Sequence, residues 1–323
     1  MAALSSQYDL GPVLVTGATG FLGQTVSATL EGRGATVVRG SRMPVRPAGS
    51  EQWVAYGSVG PGTDWDAALK NIKQVVHLAG IAHVPDIESE AAGDLLHEVN
   101  ALGAERLAQA AAARGVSRFI FASSALVHGF ESRERSFSEA DPLRPVGAYA
   151  RSKAEAEDRL RRVAQAARME LVILRPPMVY GAGGRGNFRR LVKLIRLGVP
   201  LPFGRATAPR SFIGVENLAD AVACCAAHPG AAGQTFLVAD AQTSSTVDLI
   251  EKIAQALGRH RTHFPAPVGL LKALARALGR ERDFHRLFAA FALDTSAATA
   301  QMGWRAPVPM LAGIRRAVAA QPA

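Results

Sequence analysis

From Val13 to Gly23 the chain reads Val-Leu-Val-Thr-Gly-Ala-Thr-Gly-Phe-Leu-Gly: an apolar run, three glycines, and at once a helix-forming stretch. Few folds tolerate that order. Gly17 permits a sharp exit from a strand, Gly20 lets backbone N–H groups approach a pyrophosphate, and Gly23 lets the following helix pack tightly on the strand. A diphosphate would then sit on the positive end of that helix. Thr19, Phe21 and Leu22 complete the loop and join the three glycines as candidate cofactor contacts. The spacing is G-x-x-G-x-x-G, not the general G-x-G-x-x-G. Three glycines can also be ordinary turn punctuation, so the weight rests on what surrounds them.

What surrounds them is a long alternation of short apolar runs and amphipathic stretches. Val13–Thr16 is expected as a strand, followed by a helix near Phe21–Gly32 and strands at Thr36–Arg39 and Trp53–Tyr56. Asp64 should cap a helix through Lys70, and Gln74–Leu78 should form a buried strand. Asp94–Arg114 and Tyr149–Arg168 should be long helices, with strands at Ser117–Ser123 and Leu171–Arg175. This pattern predicts an α/β fold, a Rossmann-type doubly wound parallel sheet covered by helices on both faces. After Arg175 the texture changes: Pro176-Pro177 and the Gly181–Gly184 loop break the alternation. Helices are expected at Asn187–Leu197, Val215–Ala227 and Val247–Leu257, a strand at Thr235–Ala239, and a helical tail around Leu270–Leu278. Residues 1–176 are read as the dinucleotide-binding domain. Residues 177–323 are read mainly as a smaller substrate lobe, with a return segment near 210–230 threading back to the first sheet.

The composition narrows the partners. The 323 residues carry 37 Lys and Arg against 27 Asp and Glu, a formal charge of +10. Those basic residues are spread, without blocks or interleaved aromatics, which argues against nucleic acid and for a phosphate-bearing small molecule. No window approaches the ~20 uninterrupted apolar residues of a membrane span, so no membrane partner is expected. Met1–Leu10 lacks an apolar signal core, so a cytoplasmic location is the default. Cys224 and Cys225 are adjacent and read as small apolar helix residues. His260 and His263 lack a third ligand, so no metal site is expected.

Chemistry enters with Tyr149-Ala150-Arg151-Ser152-Lys153. Tyrosine and lysine four apart share a helix face. Free tyrosine has a pKa of about 10, and a neighbouring ammonium favours its phenolate and makes proton exchange practical. The same spacing also occurs by chance on helix surfaces. Ser123 and Ser124 end a strand, where the carboxyl edge of an open sheet faces its ligand, and a hydroxyl there could hold a reacting oxygen. Cofactor choice turns on the end of the second strand, about 20 residues beyond the glycines, where an acidic residue marks NAD. This chain has Ser41 followed by Arg42, a pair suited to a 2′-phosphate, with Arg39 as a further candidate. NADP(H) is therefore favoured over NAD(H).

Taken together, Thr16–Gly23, His77-Leu78-Ala79-Gly80, Val99-Asn100, Ser123-Ser124-Ala125, Tyr149–Lys153 and Arg175–Gly181 resemble the extended short-chain dehydrogenases. Within these the chain is similar to the NAD-dependent epimerase/dehydratase branch acting on nucleotide sugars, from about Leu10 to Trp304. The resemblance implies that Tyr149 is the acid/base, that Lys153 binds the nicotinamide ribose and lowers the tyrosine pKa, and that Ser124 holds the substrate oxygen. It places Leu78, Ala79 and Gly80 against the cofactor, with Asn100 in the supporting hydrogen-bond network. It implies substrate contacts by Asn187, Phe203 and Arg210: the first and last on the diphosphate, Phe203 beside uracil. It also implies a homodimer pairing the helices Asp94–Arg114 and Tyr149–Arg168.

Three departures shape the expected reaction. Sugar 4,6-dehydratases of this branch carry an Asp-Glu pair after the catalytic Ser/Thr, and this chain has Ala125-Leu126, which argues against dehydration. His128 stands where Tyr is usual. Met178 replaces a frequent Asn near the sugar, which makes that pocket more apolar. The second half also resembles bacterial reductases of 4-keto nucleotide sugars that make UDP-N-acetylquinovosamine-like products for surface polysaccharide. The reading that follows is a reductase at C4 of a UDP-sugar, with an N-acetylated sugar expected. A UDP-hexose (UDP-glucose or UDP-N-acetylglucosamine) 4-epimerase with bound NAD is the alternative, and a non-catalytic dinucleotide sensor comes third.

Overall fold

The computed structural model describes residues 10–44, 52–82, 89–132, 135–184, 186–260 and 262–320. Its first strand, β1 (Pro12–Thr16), sends alternate side chains to opposite faces of a sheet, as a pleated strand must. Val13 and Val15 enter one core while Leu14 enters another. The same division repeats in β4 (Gln74–His77), β5 (Arg118–Ala122) and β6 (Glu170–Arg175), where Val76, Ile120 and Val172 face one way and Val75, Phe119 and Ile173 the other. Strands buried on both faces need helices on both. α1 (Phe21–Gly32) and α6 (Val215–Ala227) cover the first face through Val26, Leu30, Leu218 and Val222. α3 (Gly103–Ala113) and α4 (Ala148–Ala167) cover the second through Leu107, Ala156 and Leu160. Each such side chain contributes about 1.5–3 kcal/mol when fully buried.

With β2 (Thr36–Ser41), β3 (Trp53–Ala55) and β9 (Thr235–Leu237), the sheet has seven strands in the order β3-β2-β1-β4-β5-β6-β9. Every neighbouring pair is parallel. This is the Rossmann-type α/β fold expected from the alternation. The order reverses direction beside β1, which opens a crevice at the carboxyl ends of β1 and β4. Cys224 and Cys225 are buried free thiols inside α6. No helix among the described residues is long and apolar enough to cross a membrane.

Two local expectations are corrected. Asp64–Lys70 is a series of turns, not a helix. The Asp66 amide is drawn to the Asp64 carboxylate at 2.9 Å, a side-chain bond that competes with helix formation. The turns seat Trp65 against Tyr56 with ring centroids 4.6 Å apart. The helix expected from Asp94 starts earlier, as α2 (Glu90–Leu96), because Ser89 caps it through a bond from the Ala92 amide. It then widens into a π-helical stretch, His97–Leu102, before continuing as α3.

The second half builds its own core. β7 (Met178–Tyr180) and β8 (Phe212–Gly214), neither expected from the sequence, form a two-stranded parallel sheet. Tyr180, with α5 (Asn187–Arg196), α7 (Thr246–Ala256) and α11 (Met310–Ala319), packs there around Phe188, Ile195, Ile250 and Ile314. Between α7 and α11 run α8 (Val268–Ala277), α9 (Glu281–Phe288) and α10 (Ser296–Met302).

Candidate functional site

The crevice is framed first by backbone. Gly17 takes φ +69°, and a Cβ there would stand 3.0 Å from the Ala79 nitrogen. At Gly23 a Cβ would lie 2.1 Å from the Gly17 carbonyl oxygen, so only glycine lets α1 start this close to β1. Gly20 precedes α1 in an extended conformation, no side chain caps the helix, and its first turn holds no acidic residue. Its first amides and the positive end of its dipole therefore point into the crevice uncompensated, which fits a diphosphate. Thr19 and Gly20 are exposed there, and Phe21 and Leu22 are half-buried. Phe21 reaches the Gly181–Gly184 turn, where a Cβ on Gly184 would meet its ring at 3.6 Å.

Three residues to which the sequence assigned no role of their own support this loop. The Gly17 N–H donates to the Tyr56 hydroxyl at 3.0 Å. The Thr16 hydroxyl accepts from the Leu78 and Ala79 amides, both at 3.2 Å, and lies 2.8 Å from His77 Nδ1. With both amides donating to it, Thr16 gives its own proton to Nδ1. Burial, with Lys153 nearby, lowers the His77 pKa to about 3, so the ring stays neutral and can accept. A partner 39 or 61 residues away leaves no local trace in a sequence.

On the neighbouring strand ends, Asn100 sits in the π-helical stretch, a feature common at functional sites. Its Oδ1 accepts from the Ile81 amide at 2.8 Å, and its Nδ2 donates to the Ile81 carbonyl and to Ser152 Oγ. A Cβ on Gly80 would lie 2.9 Å from Asn100 Oδ1 and 3.6 Å from Lys153 Nζ. The structure thus gathers Leu78, Ala79, Gly80, Asn100 and Lys153 around one spot.

Ser124 follows β5, its Oγ accepts from the Leu126 amide at 3.3 Å, and its hydroxyl lies near enough to the Tyr149 phenol to favour the phenolate. Beside it, Ser123 Oγ donates to Glu157 at 2.5 Å. Glu157 is fully buried and held by Arg175 at 2.9 and 2.6 Å, and Arg175 also meets His128 Nε2 at 3.0 Å. Burial raises the Glu157 pKa, but the Arg175 bonds outweigh it and keep the group charged. This buried pair anchors the strand end from which Ser124 projects. Lys153 Nζ donates to the Ala122 carbonyl at 2.9 Å and lies 4.6 Å above the Phe121 ring. Burial lowers its pKa to about 8, with Glu157 opposing. Tyr149 departs from expectation: burial raises its pKa to about 12, opposed by the nearby Ser124 hydroxyl, and Lys153 does not pull it down. The phenol is therefore a proton donor at neutral pH.

At the end of β2 the expected pair separates. Ser41 is buried and spends its hydroxyl proton on the Met43 carbonyl, so it has no donor for a phosphate. Arg39 is tied to Glu31 at 2.5 Å and covers the Trp53 ring, which removes it as a phosphate ligand. Arg42 is exposed and close enough to Tyr56 to lower its pKa against the larger effect of burial. In the second half, Asn187 is exposed at the first position of α5. Phe203 is half-buried and meets Phe288 edge-on, with centroids 6.0 Å apart. Arg210 donates to the Ala289 carbonyl at 2.6 Å and lies over Phe291, and burial lowers its pKa to about 10.

Known proteins converge on the same architecture. Residues 13–239 match the NAD dependent epimerase/dehydratase family. A UDP-glucose 4-epimerase of Vibrio cholerae is 34% identical over 306 residues, covering 94% of this chain and 93% of that protein. MoeE5 in complex with UDP-glucose and NAD superposes with a TM-score of 0.76 at 27% identity, covering 96% of this chain and 98% of the other. RMD from Pseudomonas aeruginosa complexed with NADPH shares the fold at a TM-score of 0.74 and 22% identity, over 96% of this chain and 98% of the other. With more than half its length matched to one family model, the chain belongs to the NAD dependent epimerase/dehydratase family and is an enzyme of that family.

Proposed function

We propose that the enzyme reduces the C4 ketone of a UDP-linked 4-keto-hexose, an N-acetylated sugar of surface polysaccharide, with NADPH. The observation that carries this reading is the convergence of Ser124, just past β5, with Tyr149 and Lys153 one turn apart on α4, Lys153 being fixed to the Ala122 carbonyl at 2.9 Å. A reductase needs a proton donor at the nascent alkoxide, whereas an oxidation begins with a base. When bound, the nicotinamide dinucleotide supplies the hydride that C4 receives. Ser124 orients the ketone oxygen, Tyr149 donates its proton to that oxygen, and the Lys153 ammonium stabilises the phenolate left behind. Asn100 holds the chain beside Gly80 and next to Lys153, and these residues would line the nicotinamide side of a bound cofactor. Gly17, Gly20 and Gly23 cradle the pyrophosphate, and Arg42 is the cation available to a 2′-phosphate. Asn187 and Arg210 are assigned to the substrate diphosphate and Phe203 to the base, with Arg210 exchanging its Ala289 carbonyl for the ligand.

A second reading rests on the Vibrio relative, whose name is UDP-glucose 4-epimerase: the same three residues, with NAD retained, would oxidise and re-reduce C4. Dialysed enzyme separates the two. NADPH oxidation that requires an added UDP-4-keto-hexose supports the reductase. Cofactor that survives dialysis, together with interconversion of UDP-hexoses without added nucleotide, supports the epimerase and removes the reductase.

A further inference from the structure

Alone among the described helices, α8 contains no buried residue. Val268, Leu271 and Ala275 are half-buried, and α9 is the helix packed against it. Leu270, Ala273, Leu274 and Ala277 are exposed, and Leu278 continues them at the helix end. Positions i, i+3, i+4, i+7 and i+8 form a single stripe on a helix, and here that stripe is apolar and turned to solvent. Its leucines are 65%, 54% and 64% exposed at 270, 274 and 278. Ordinary surface leucines are scattered singly and need no explanation; a contiguous stripe does.

Charge argues for what covers it. Lys272 and Arg276, one turn apart, run along one edge of the stripe, and neither takes part in an ion pair among the described residues. From 266 to 286 the chain carries Lys272, Arg276, Arg280, Arg282 and Arg286 against only Glu281 and Asp283. The chain that leads into α8 exposes further apolar side chains. The segment before α8 bridges to that after α5 through Leu201 and His263, and Phe264, Leu197 and Val199 are exposed around that bridge. A two-fold contact between copies along this stripe would set two cationic edges together with no acidic row to meet them. Anionic headgroups meet them directly, while the leucines enter the acyl boundary.

We propose that α8 is a docking helix that lies in the surface of an anionic phospholipid bilayer. This is distinct from spanning, for which the ten residues of α8 are too few. The helix is tied to the candidate site: Phe288 of α9 meets Phe203 edge-on and stacks on Phe284. Docking through α8 therefore holds that edge of the crevice near the membrane surface.

The test is co-sedimentation of the full chain with phosphatidylcholine vesicles, with and without a third of phosphatidylglycerol. Binding should require phosphatidylglycerol and fall with added salt. Lys272→Gln and Arg276→Gln should each weaken it about fivefold. The combined Leu270→Ser, Leu274→Ser and Leu278→Ser variant should lose more than about tenfold, with far-UV circular dichroism and Tm unchanged. Hydrogen exchange on the unaltered protein needs no variant: α8 amides should gain protection when anionic vesicles are added. Absent binding by the unaltered chain overturns the proposal. So does full binding by the triple serine variant, which would leave only diffuse charge attraction. Unchanged α8 exchange overturns it as well. A vesicle-free dimer that the triple variant converts to monomer would assign the stripe to a second copy instead.

Discussion

Tyr149, in the first turn of α4, lies beside the hydroxyl of Ser124, just past β5, so two elements 25 positions apart in sequence deliver one proton site. Tyr149→Phe keeps the ring and removes only the hydroxyl. Turnover should drop about 10²–10⁴-fold while Tm moves little, read by steady-state kinetics beside thermal unfolding. Turnover within a fewfold of normal would remove Tyr149 from the chemistry.

Arg42 stands exposed at the end of β2, while Ser41 and Arg39 are committed elsewhere. One charged contact to a 2′-phosphate is worth about 1.5–3 kcal/mol. Arg42→Glu should therefore lower the ratio of kcat/KM for NADPH to that for NADH at least tenfold, mostly through KM for NADPH. An unchanged ratio would mean that no cation at this position selects the cofactor.

Gly23 and Gly32 bracket α1 and make a controlled pair. A methyl on Gly23 would strike the Gly17 carbonyl and the Ala18 Cα, at 2.1 and 2.7 Å, and neither is a side chain that can swing away. Gly23→Ala should cost about 1–3 kcal/mol or more through overpacking and abolish dinucleotide binding, followed by quenching of bound NADPH fluorescence. Gly32 has nothing within 4 Å of a built Cβ. Gly32→Ala should be neutral or stabilise by up to about 1 kcal/mol, with binding intact.

These contrasts show which parts of the site a sequence can carry. The glycine loop is legible because strand, turn and helix are consecutive, and Tyr149 and Lys153 because four residues make one helical turn. The Tyr56 bond to Gly17 and the Thr16–His77 bond close loops of 39 and 61 residues, and no periodicity marks them. β7 and β8 are only three residues each, too short to show alternation. Ser41 matched the cofactor position in register, yet its hydroxyl turns to Met43. Register is readable from a sequence; the direction of a proton is not.

His77 and His128 make acid the weak side of this fold. Burial lowers their pKa values to about 3 and about 4, helped at His77 by Lys153 and at His128 by Arg175. In the unfolded chain both return to about 6.5. Between those limits the unfolded state binds more protons, so stability is full above about pH 6.5 and declines as pH falls. Each histidine contributes a slope of about 1.4 kcal/mol per pH unit near pH 5. Urea unfolding should therefore show uptake of close to two protons near pH 5, falling to about half a proton by pH 7. His77→Asn keeps an acceptor for Thr16, and His128→Gln keeps one for Arg175; each should remove one proton from that slope, whatever it does to stability at neutral pH. A slope unchanged in both variants would place the acid sensitivity in the carboxylates, and the orphaned buried nitrogens His77 Nε2 and His128 Nδ1 would then have to take up protons without opening the fold.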